Sequence, residues 1–321
     1  MLHLATDKKR HRVAVVFALP SNPLLESLLP SLPSRTARNE TGDTPVPLVS
    51  IQTGGCHPPL FFVHGLAGNL VRFNNLIRHL GKDESIYVLQ EQSLDQKEPI
   101  LTRVEDMAAQ YIKAMQTVQP GGPYFLTGYS FGGLVCFEMA QQLRSQGHDV
   151  ALVALIDTGQ PIYRKDRAKV LRSPRMLRTY LRRIKELLAD AGSRSTLRSR
   201  IRNELLRLIF LKLPVRRVIN RFSKADSHDL PRTPAMLQAA NVEAAIHYEP
   251  RRYPGCISVF RAQERTIVDR FDRQLGWGGL ADRVDVYDVP GDHVTIAEEP
   301  YVGVLAEKFK LAIQAGRDKH E

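Results

Sequence analysis

From Val46 onward, short runs that are apolar at nearly every position alternate with longer stretches whose apolar residues recur every three or four places. Pro59-Leu60-Phe61-Phe62-Val63, Tyr124-Phe125-Leu126-Thr127, Ala151 to Ile156 and Cys256 to Phe260 are of the first kind. Runs like these suit strands covered on both faces of a parallel sheet. Ile86 to Gln90 predicts another strand, and the alternating Val46 to Ile51 and Val284 to Val289 predict two more. Gly54-Gly55 lies between Val46–Ile51 and Pro59–Val63, so these two strands are expected to pair through a turn. Helices are predicted from about Val71 to Leu80, from the elbow described below to Gln146, and from Tyr301 to Ala315. Another is marked by Val104, Met107, Ala108, Tyr111, Ile112, Met115 and Val118, with Thr102-Arg103-Val104-Glu105 reading as a capping box at its start. Strands separated by helices imply a doubly wound α/β sheet, with chemistry at the carboxyl ends of its strands.

Two regions break this rhythm. Residues 1–45 carry Pro20, Pro23, Pro30, Pro33 and Pro45 without a sustained period and read as an extension or linker, with a short helix expected near Leu24 to Leu29. Residues 160–235 carry apolar positions at near-helical spacing, from Leu171 through Leu187 and again from Leu197 through Ile209. Amphipathic helices inserted between sheet strands are expected to form a lid. The remaining residues, 46–321, form one α/β domain around that insertion.

The most specific pattern is Gly128-Tyr129-Ser130-Phe131-Gly132-Gly133, set between a strand-like and a helix-like run. A serine on a sharp strand-to-helix turn needs neighbours without bulk, and Gly128 and Gly132 supply them. Ser130 is then exposed as a nucleophile, and the Phe131 N–H at the helix start is expected to face an oxyanion. His64-Gly65-Leu66-Ala67-Gly68 follows a buried strand, where the Leu66 N–H is expected to be the second oxyanion donor. His64 is expected to shape that turn.

A serine hydroxyl needs a base within hydrogen-bond reach and an acid to orient the base. His293, in Pro290-Gly291-Asp292-His293 after the last strand, fits the base better than His247 or His148, which lie before strands. For the acid, Asp157 ends the Ala151–Ile156 strand, whereas Asp269 and Asp272 follow the strand near Val259. Periodicity does not decide between them; a carboxylate at the end of a buried strand is the more rigidly held.

Charge adds a different kind of information. The chain of 321 residues has a formal net charge of +11. Residues 161–224 hold 20 Lys or Arg against four Asp or Glu, a local +16, which leaves −5 for the rest. The basicity thus belongs to the insertion, where a docking face for an acidic partner competes with an ordinary solvated helix surface. No nucleic-acid motif or aromatic interleaving accompanies it. The longest apolar runs, such as Val13 to Leu19, fall short of the roughly 20 residues that cross a bilayer. Lys8-Lys9-Arg10-His11-Arg12 before that run imitates a signal peptide without a convincing cleavage site. Three well-separated cysteines show no metal-ligand spacing and fit a reducing cytoplasm, so no metal is expected.

Taken together, Pro58–Gly65, Leu101–Ala108, Gly122-Pro123-Tyr124, Gly128–Gly133 and Ala154-Leu155-Ile156-Asp157-Thr158 resemble the thioesterase domains that end nonribosomal peptide and polyketide synthases. Phe260-Arg261-Ala262, Leu275-Gly276-Trp277-Gly278 and Val289–His293 extend the likeness, which covers about Leu48 to Ala315. The resemblance implies an α/β-hydrolase fold, with a mostly parallel central sheet flanked by helices and an inserted helical lid. It implies release of an acyl or peptidyl chain from the phosphopantetheine arm of a carrier protein, by hydrolysis or cyclisation, with no cofactor bound to the domain itself. It carries over Ser130 as nucleophile, His293 as base and Asp157 as acid, since synthase-integrated members place the acid after this strand. Acyl or peptidyl carrier proteins are typically acidic, so Arg178, Arg182 and Arg183 on the basic insertion are expected to dock one. No Gly-Gly-x-Ser-like attachment motif occurs in the first 45 residues, so a stand-alone member or the last piece of a split synthase is expected. The rival readings are a general carboxylesterase or acyltransferase, a free-standing editing thioesterase, and a non-enzymatic binding module on the same fold.

Overall fold

The all-apolar runs form the middle of one sheet, and the alternating ones lie at its edges. The computed structural model describes residues 47–66, 71–90, 100–160, 234–265 and 272–320. The expected extension, nearly all of the expected lid, Arg178, Arg182, Arg183 and Asp269 lie outside the described residues. Strands β1 (Leu48–Gln52), β2 (Leu60–Val63), β3 (Ile86–Leu89), β4 (Tyr124–Tyr129), β5 (Val150–Ile156), β6 (Tyr253–Ala262) and β7 (Ala281–Val289) build a 7-stranded sheet in the order β1-β3-β2-β4-β5-β6-β7. β1 runs antiparallel to β3, and every other neighbour pair is parallel.

Helices cover both faces, as a parallel sheet requires. α1 (Val71–Leu80) and α5 (Val302–Arg317) pack Phe73, Leu76, Leu305 and Phe309 against Phe62, Phe125 and Phe260. On the other face, α2 (Val104–Gln116) and α3 (Phe131–Ser145) pack Met107, Tyr111, Leu134 and Phe137 against Phe61, Leu126, Leu155 and Val259. Because side chains alternate along a strand, Phe61 and Phe62 serve opposite cores from adjacent positions. Both are fully buried.

The expected pairing of the first two strands is incorrect. β1 pairs with β3, Leu48 opposite Leu89 and Val49 opposite Val88, and β2 lies between β3 and β4. The reason is burial: β2 is buried at all four positions and takes a central place, whereas β1 is only partly covered and takes the edge. The expected capping box is also absent. Helix α2 begins at Val104, with Arg103 in extended conformation at its N-cap and no side-chain cap. Glu105 instead faces the Arg103 guanidinium at 3.6 Å. A helix that the pattern did not predict, α4 (Pro234–His247), packs Ala244 and Ala245 into the core shared with α2 and α3.

The sheet order positions the site. The chain passes from β2 outward to β3, then crosses back over β2 to β4. β2 and β4 therefore flank the point where the winding reverses, and the crevice beyond their carboxyl ends is where such sheets bind ligands.

Candidate active site

Ser130 leaves β4 with φ 55° and ψ −116°, a conformation that a residue with a Cβ adopts only under constraint. The constraint is visible on each side. Its N–H donates to the Ile156 carbonyl at 2.9 Å, and its carbonyl accepts from Gly133 N–H at 3.2 Å and from Thr158 Oγ1 at 3.0 Å. A Cβ on Gly128 would strike the Gly132 carbonyl, and one on Gly132 would strike the carbonyls of His64 and Val63. Gly132 thus lets the first turn of α3 abut the exit of β2. The Ser130 hydroxyl makes no capping bond to the helix, and Phe131, as its first residue, has no acceptor for its N–H within the helix.

The exit of β5 is built on similar lines. Asp157 also has a positive φ, 46°, and its N–H donates to the Phe260 carbonyl at 2.8 Å. Its side chain is 4% exposed and its two oxygens have separate partners. Oδ2 accepts from His293 Nδ1 at 2.7 Å. Oδ1 accepts from the Ala262 N–H at 3.0 Å and from the Arg265 guanidinium. An ionised carboxylate only accepts, so His293 carries a proton on Nδ1.

His293 is held further by two contacts with Tyr129 and by the turn around it. Its ring stacks on Tyr129, the residue before Ser130, with centroids 5.2 Å apart and planes 20° from parallel. The Tyr129 hydroxyl donates to the His293 carbonyl. Asp292 Oδ1 accepts from the N–H groups of Val294 and Thr295 at 2.8 and 2.9 Å, which folds the loop tightly around residue 293. The imidazole stays 36% exposed.

At the exit of β2, His64 is 1% exposed. Its Nδ1 donates to the Gly65 carbonyl at 2.6 Å and its Nε2 accepts from the Tyr111 hydroxyl at 2.7 Å. Burial holds its pKa down, at about 4, so the ring is neutral. The next turn is held from α4, where buried Asn241 donates Nδ2 to the Leu66 carbonyl at 3.2 Å. The β2 and β4 exits therefore bring the Leu66 loop and the α3 N-terminus together at the winding reversal.

A serine at a strained strand-to-helix turn, an Asp–His pair joined from the exits of β5 and β7 on either side of β6, and this sheet order make a candidate hydrolase site, and a family model narrows the kind. The model for a thioesterase domain matches residues 58–310. The chain belongs to the thioesterase domain family. Atromentin synthetase nps3 of Serpula lacrymans var. lacrymans is 26% identical over 321 residues, which cover 94% of this chain and 32% of the synthetase. A dimodular nonribosomal peptide synthase of Bacillus subtilis is 44% identical over 110 residues, or 34% of this chain and 5% of that one. The thioesterase therefore spans about a third of the length of the atromentin synthetases that it matches. Among solved structures, holo-AB3403, a four-domain nonribosomal peptide synthetase bound to AMP and glycine, superposes with a TM-score of 0.57 and 25% identity over 84% of this chain and 20% of that chain. The NocB thioesterase domain, in covalent complex with a fluorophosphonate nocardicin G analogue, gives 0.53 and 22% over 83% of this chain and 99% of that one. The fold is that of the α/β-hydrolases.

Other residues weighed for the thioesterase site lie elsewhere or serve the backbone. Asp272 accepts from the N–H groups of Gln274 and Gly276 at 2.9 and 2.6 Å, which makes it the cap of a turn. His148 lies against the Tyr124 ring at the start of β4, and His247 sits at the exposed end of α4 with its Nδ1 on the Glu243 carbonyl. Four residues escaped the pattern reading. Tyr129 holds His293, Asn241 holds Leu66, Arg265 meets Asp157, and Thr158 ties the Ser130 carbonyl while its own carbonyl accepts from Trp277 Nε1 at 2.8 Å. Only the Trp277 tie had an available signal, the Leu275–Gly278 block. The others depend on tertiary placement. Among the described residues, no helix is long and apolar enough to cross a membrane.

Proposed function

We propose that the thioesterase releases an acyl or peptidyl chain from the phosphopantetheine arm of a carrier protein through an acyl-enzyme on Ser130. His293 Nε2 takes the Ser130 proton as Oγ attacks the thioester carbonyl. The N–H groups of Leu66 and Phe131 receive the oxyanion, and collapse expels the pantetheine thiolate, protonated by His293. Water or a nucleophile within the chain then attacks the Ser130 ester by the same route, giving hydrolysis or cyclisation. Asp157 keeps the proton on Nδ1 and stabilises the imidazolium. A thiolate leaves readily, so the barrier is dominated by oxyanion stabilisation, where each donor contributes about 100- to 1,000-fold.

One observation carries this reading: Asp157 Oδ2 and His293 Nδ1 meet at 2.7 Å, from residues 136 apart, with the His293 ring stacked on the residue that precedes Ser130. The likeness to synthetases supports a carrier-bound substrate, and the +16 of residues 161–224 supports an acidic carrier as partner. No cofactor is needed by this chemistry. The three cysteines, all unpaired, fit a cytoplasmic protein. In this reading residues 1–45 are a linker and residues 160–235 a lid over the crevice.

The test is labelling by a fluorophosphonate followed by peptide mass spectrometry, with modification expected on Ser130. Turnover of a carrier-bound acyl thioester, the same acyl N-acetylcysteamine thioester and the matching ethyl ester then defines the class. Preference for the carrier-bound thioester is expected; equal turnover of the ethyl ester makes the protein a general esterase. Charge reversal at Arg178, Arg182 and Arg183 is expected to slow only the carrier-bound substrate, and only at low salt.

A further inference from the structure

Asp157 has a second neighbour, a cation that the proposed reaction does not use. The Arg265 side chain is 11% exposed, its Nε donates to the Ala262 carbonyl at 3.0 Å, and its Nη2 reaches Asp157 Oδ1. The Ala262 N–H donates to that same oxygen. The end of β6 thus grips both partners, with its carbonyl on the guanidinium and its N–H on the carboxylate. We propose that Arg265 is a positioning residue for the Asp157–His293 pair, which fixes the carboxylate rotamer and offsets its charge so that His293 stays a neutral base in mildly acidic solution.

The argument has a geometric and an electrostatic part. With Oδ1 tied by Ala262 and Arg265, only Oδ2 is presented to His293, and rotation of the carboxylate would break two bonds at once. A carboxylate 4% exposed beside a neutral imidazole is a buried lone charge, and such a charge favours proton uptake by its neighbour. A guanidinium on the far oxygen cancels much of that pull. The imidazolium is then less favoured in the resting enzyme than it would be beside an uncompensated carboxylate.

The other charges near this edge are committed elsewhere or carried by the same turns. Arg261 of β6 pairs with Asp288 of β7 at 2.6 Å, and Arg273 takes the second Asp288 oxygen at 2.5 Å. Asp292, before His293, is bound by the N–H groups of its own loop. Glu264 lies next to Arg265 in the chain, and its N–H donates to the Gly291 carbonyl at 2.9 Å. From β4, Tyr129 contributes its ring and its hydroxyl.

The inference rests on the Ser130–His293–Asp157 reading, and one experiment separates their failures. The rate at which a fluorophosphonate labels Ser130 is measured from pH 5 to 9: Oγ attacks phosphorus, fluoride leaves, and His293 takes the serine proton. The acid limb of this profile reads the protonation of His293 without a natural substrate. Arg265→Gln is expected to move the limb upward by about one pH unit, slowing labelling at pH 6 by up to ten-fold with a shrinking effect as the pH rises. Arg265→Lys, which keeps charge without the fork, is expected to return most of the shift. Arg265→Met, similar in length, replaces Gln if that variant does not fold. An unmoved limb in a folded neutral variant overturns the inference, as does failure of both neutral variants to fold, which would make Arg265 a structural tie. Ser130→Ala and His293→Ala controls that label like the parent overturn the underlying reading instead.

Discussion

His64 and His293 each follow a strand of the same sheet, yet their ring nitrogens meet different surroundings. His64 donates from Nδ1 to a carbonyl and accepts at Nε2 from the Tyr111 hydroxyl, in a place that solvent does not reach. His293 gives Nδ1 to a carboxylate and keeps a partly exposed edge. A ring with both nitrogens spent on neutral partners is a brace, held uncharged by burial. A ring anchored through one nitrogen to a buried carboxylate, with a partly exposed edge, is the one proposed to transfer a proton, and that carboxylate would stabilise its charged form. Histidine chemistry here follows from what each strand exit puts around the ring, since both residues sit in glycine-containing turns.

The largest test of this contrast is truncation. On the proposed roles, His293→Ala is expected to lower kcat for an acyl N-acetylcysteamine thioester by about 10⁵- to 10⁶-fold, the scale of losing a triad base. His64→Gln, which keeps a donor and an acceptor in place, is expected to cost less than about 100-fold, through a displaced Leu66 loop. Comparable losses in the two variants would abolish the distinction between brace and base. Next in size is Asp157→Asn, expected to lower kcat by about 10⁴-fold with little change in KM, because an amide no longer selects the Nδ1–H tautomer. Measured KM values and an unchanged unfolding midpoint separate that loss from misfolding.

A third test uses pH and stability. The folded protein holds His64 neutral down to about pH 4, whereas in the unfolded chain an ordinary histidine takes its proton near 6.5. Between those values the unfolded state binds a proton that the folded state refuses. The stabilisation from keeping His64 neutral is therefore complete above pH 6.5 and is lost as the pH falls toward 4, by about 3 kcal/mol. Urea unfolding across this range is expected to show that loss in the parent and not in His64→Gln, after the carboxylate titrations common to both are subtracted. A parallel pair of curves would mean that His64 is protonated in the folded protein, and the brace would then have to be redrawn as a cation.

Both histidines illustrate what a sequence conveys about a site. The Gly128–Gly133 turn was legible because the backbone there admits few residue types, and local sterics are written in local sequence. His293 was legible through Pro290-Gly291-Asp292, a turn at the end of an alternating run. The place of β1 was not, because a Gly-Gly turn suggests a hairpin, while the partner of an edge strand is decided by how the other strands compete for the centre. Helix α4 was missed for a different reason: Pro-Ala-Met-Leu-Gln-Ala-Ala-Asn-Val-Glu-Ala-Ala-Ile-His has apolar residues all round and so no clear 3.6 period. Arg265 lies in a stretch rich in charge, where a guanidinium reads as surface until the fold brings Asp157 beside it.

The smallest expected effect concerns how the base is held. Tyr129 touches His293 twice, by stacking and by a hydroxyl donated to the His293 carbonyl, and only the second contact is lost in Tyr129→Phe. One neutral hydrogen bond contributes about 1 kcal/mol, so a loss of roughly five-fold in kcat is expected, with the acid limb of the pH profile unmoved because no charge changes. Tyr129→Leu removes the stacking as well and is expected to cost several-fold more. The same Phe substitution should leave the His64 brace untouched, so its stability curve between pH 6.5 and 4 should keep the parent slope. If the slope changes too, the two strand exits are mechanically coupled through the first turn of α3, and the separation between brace and base is one of degree.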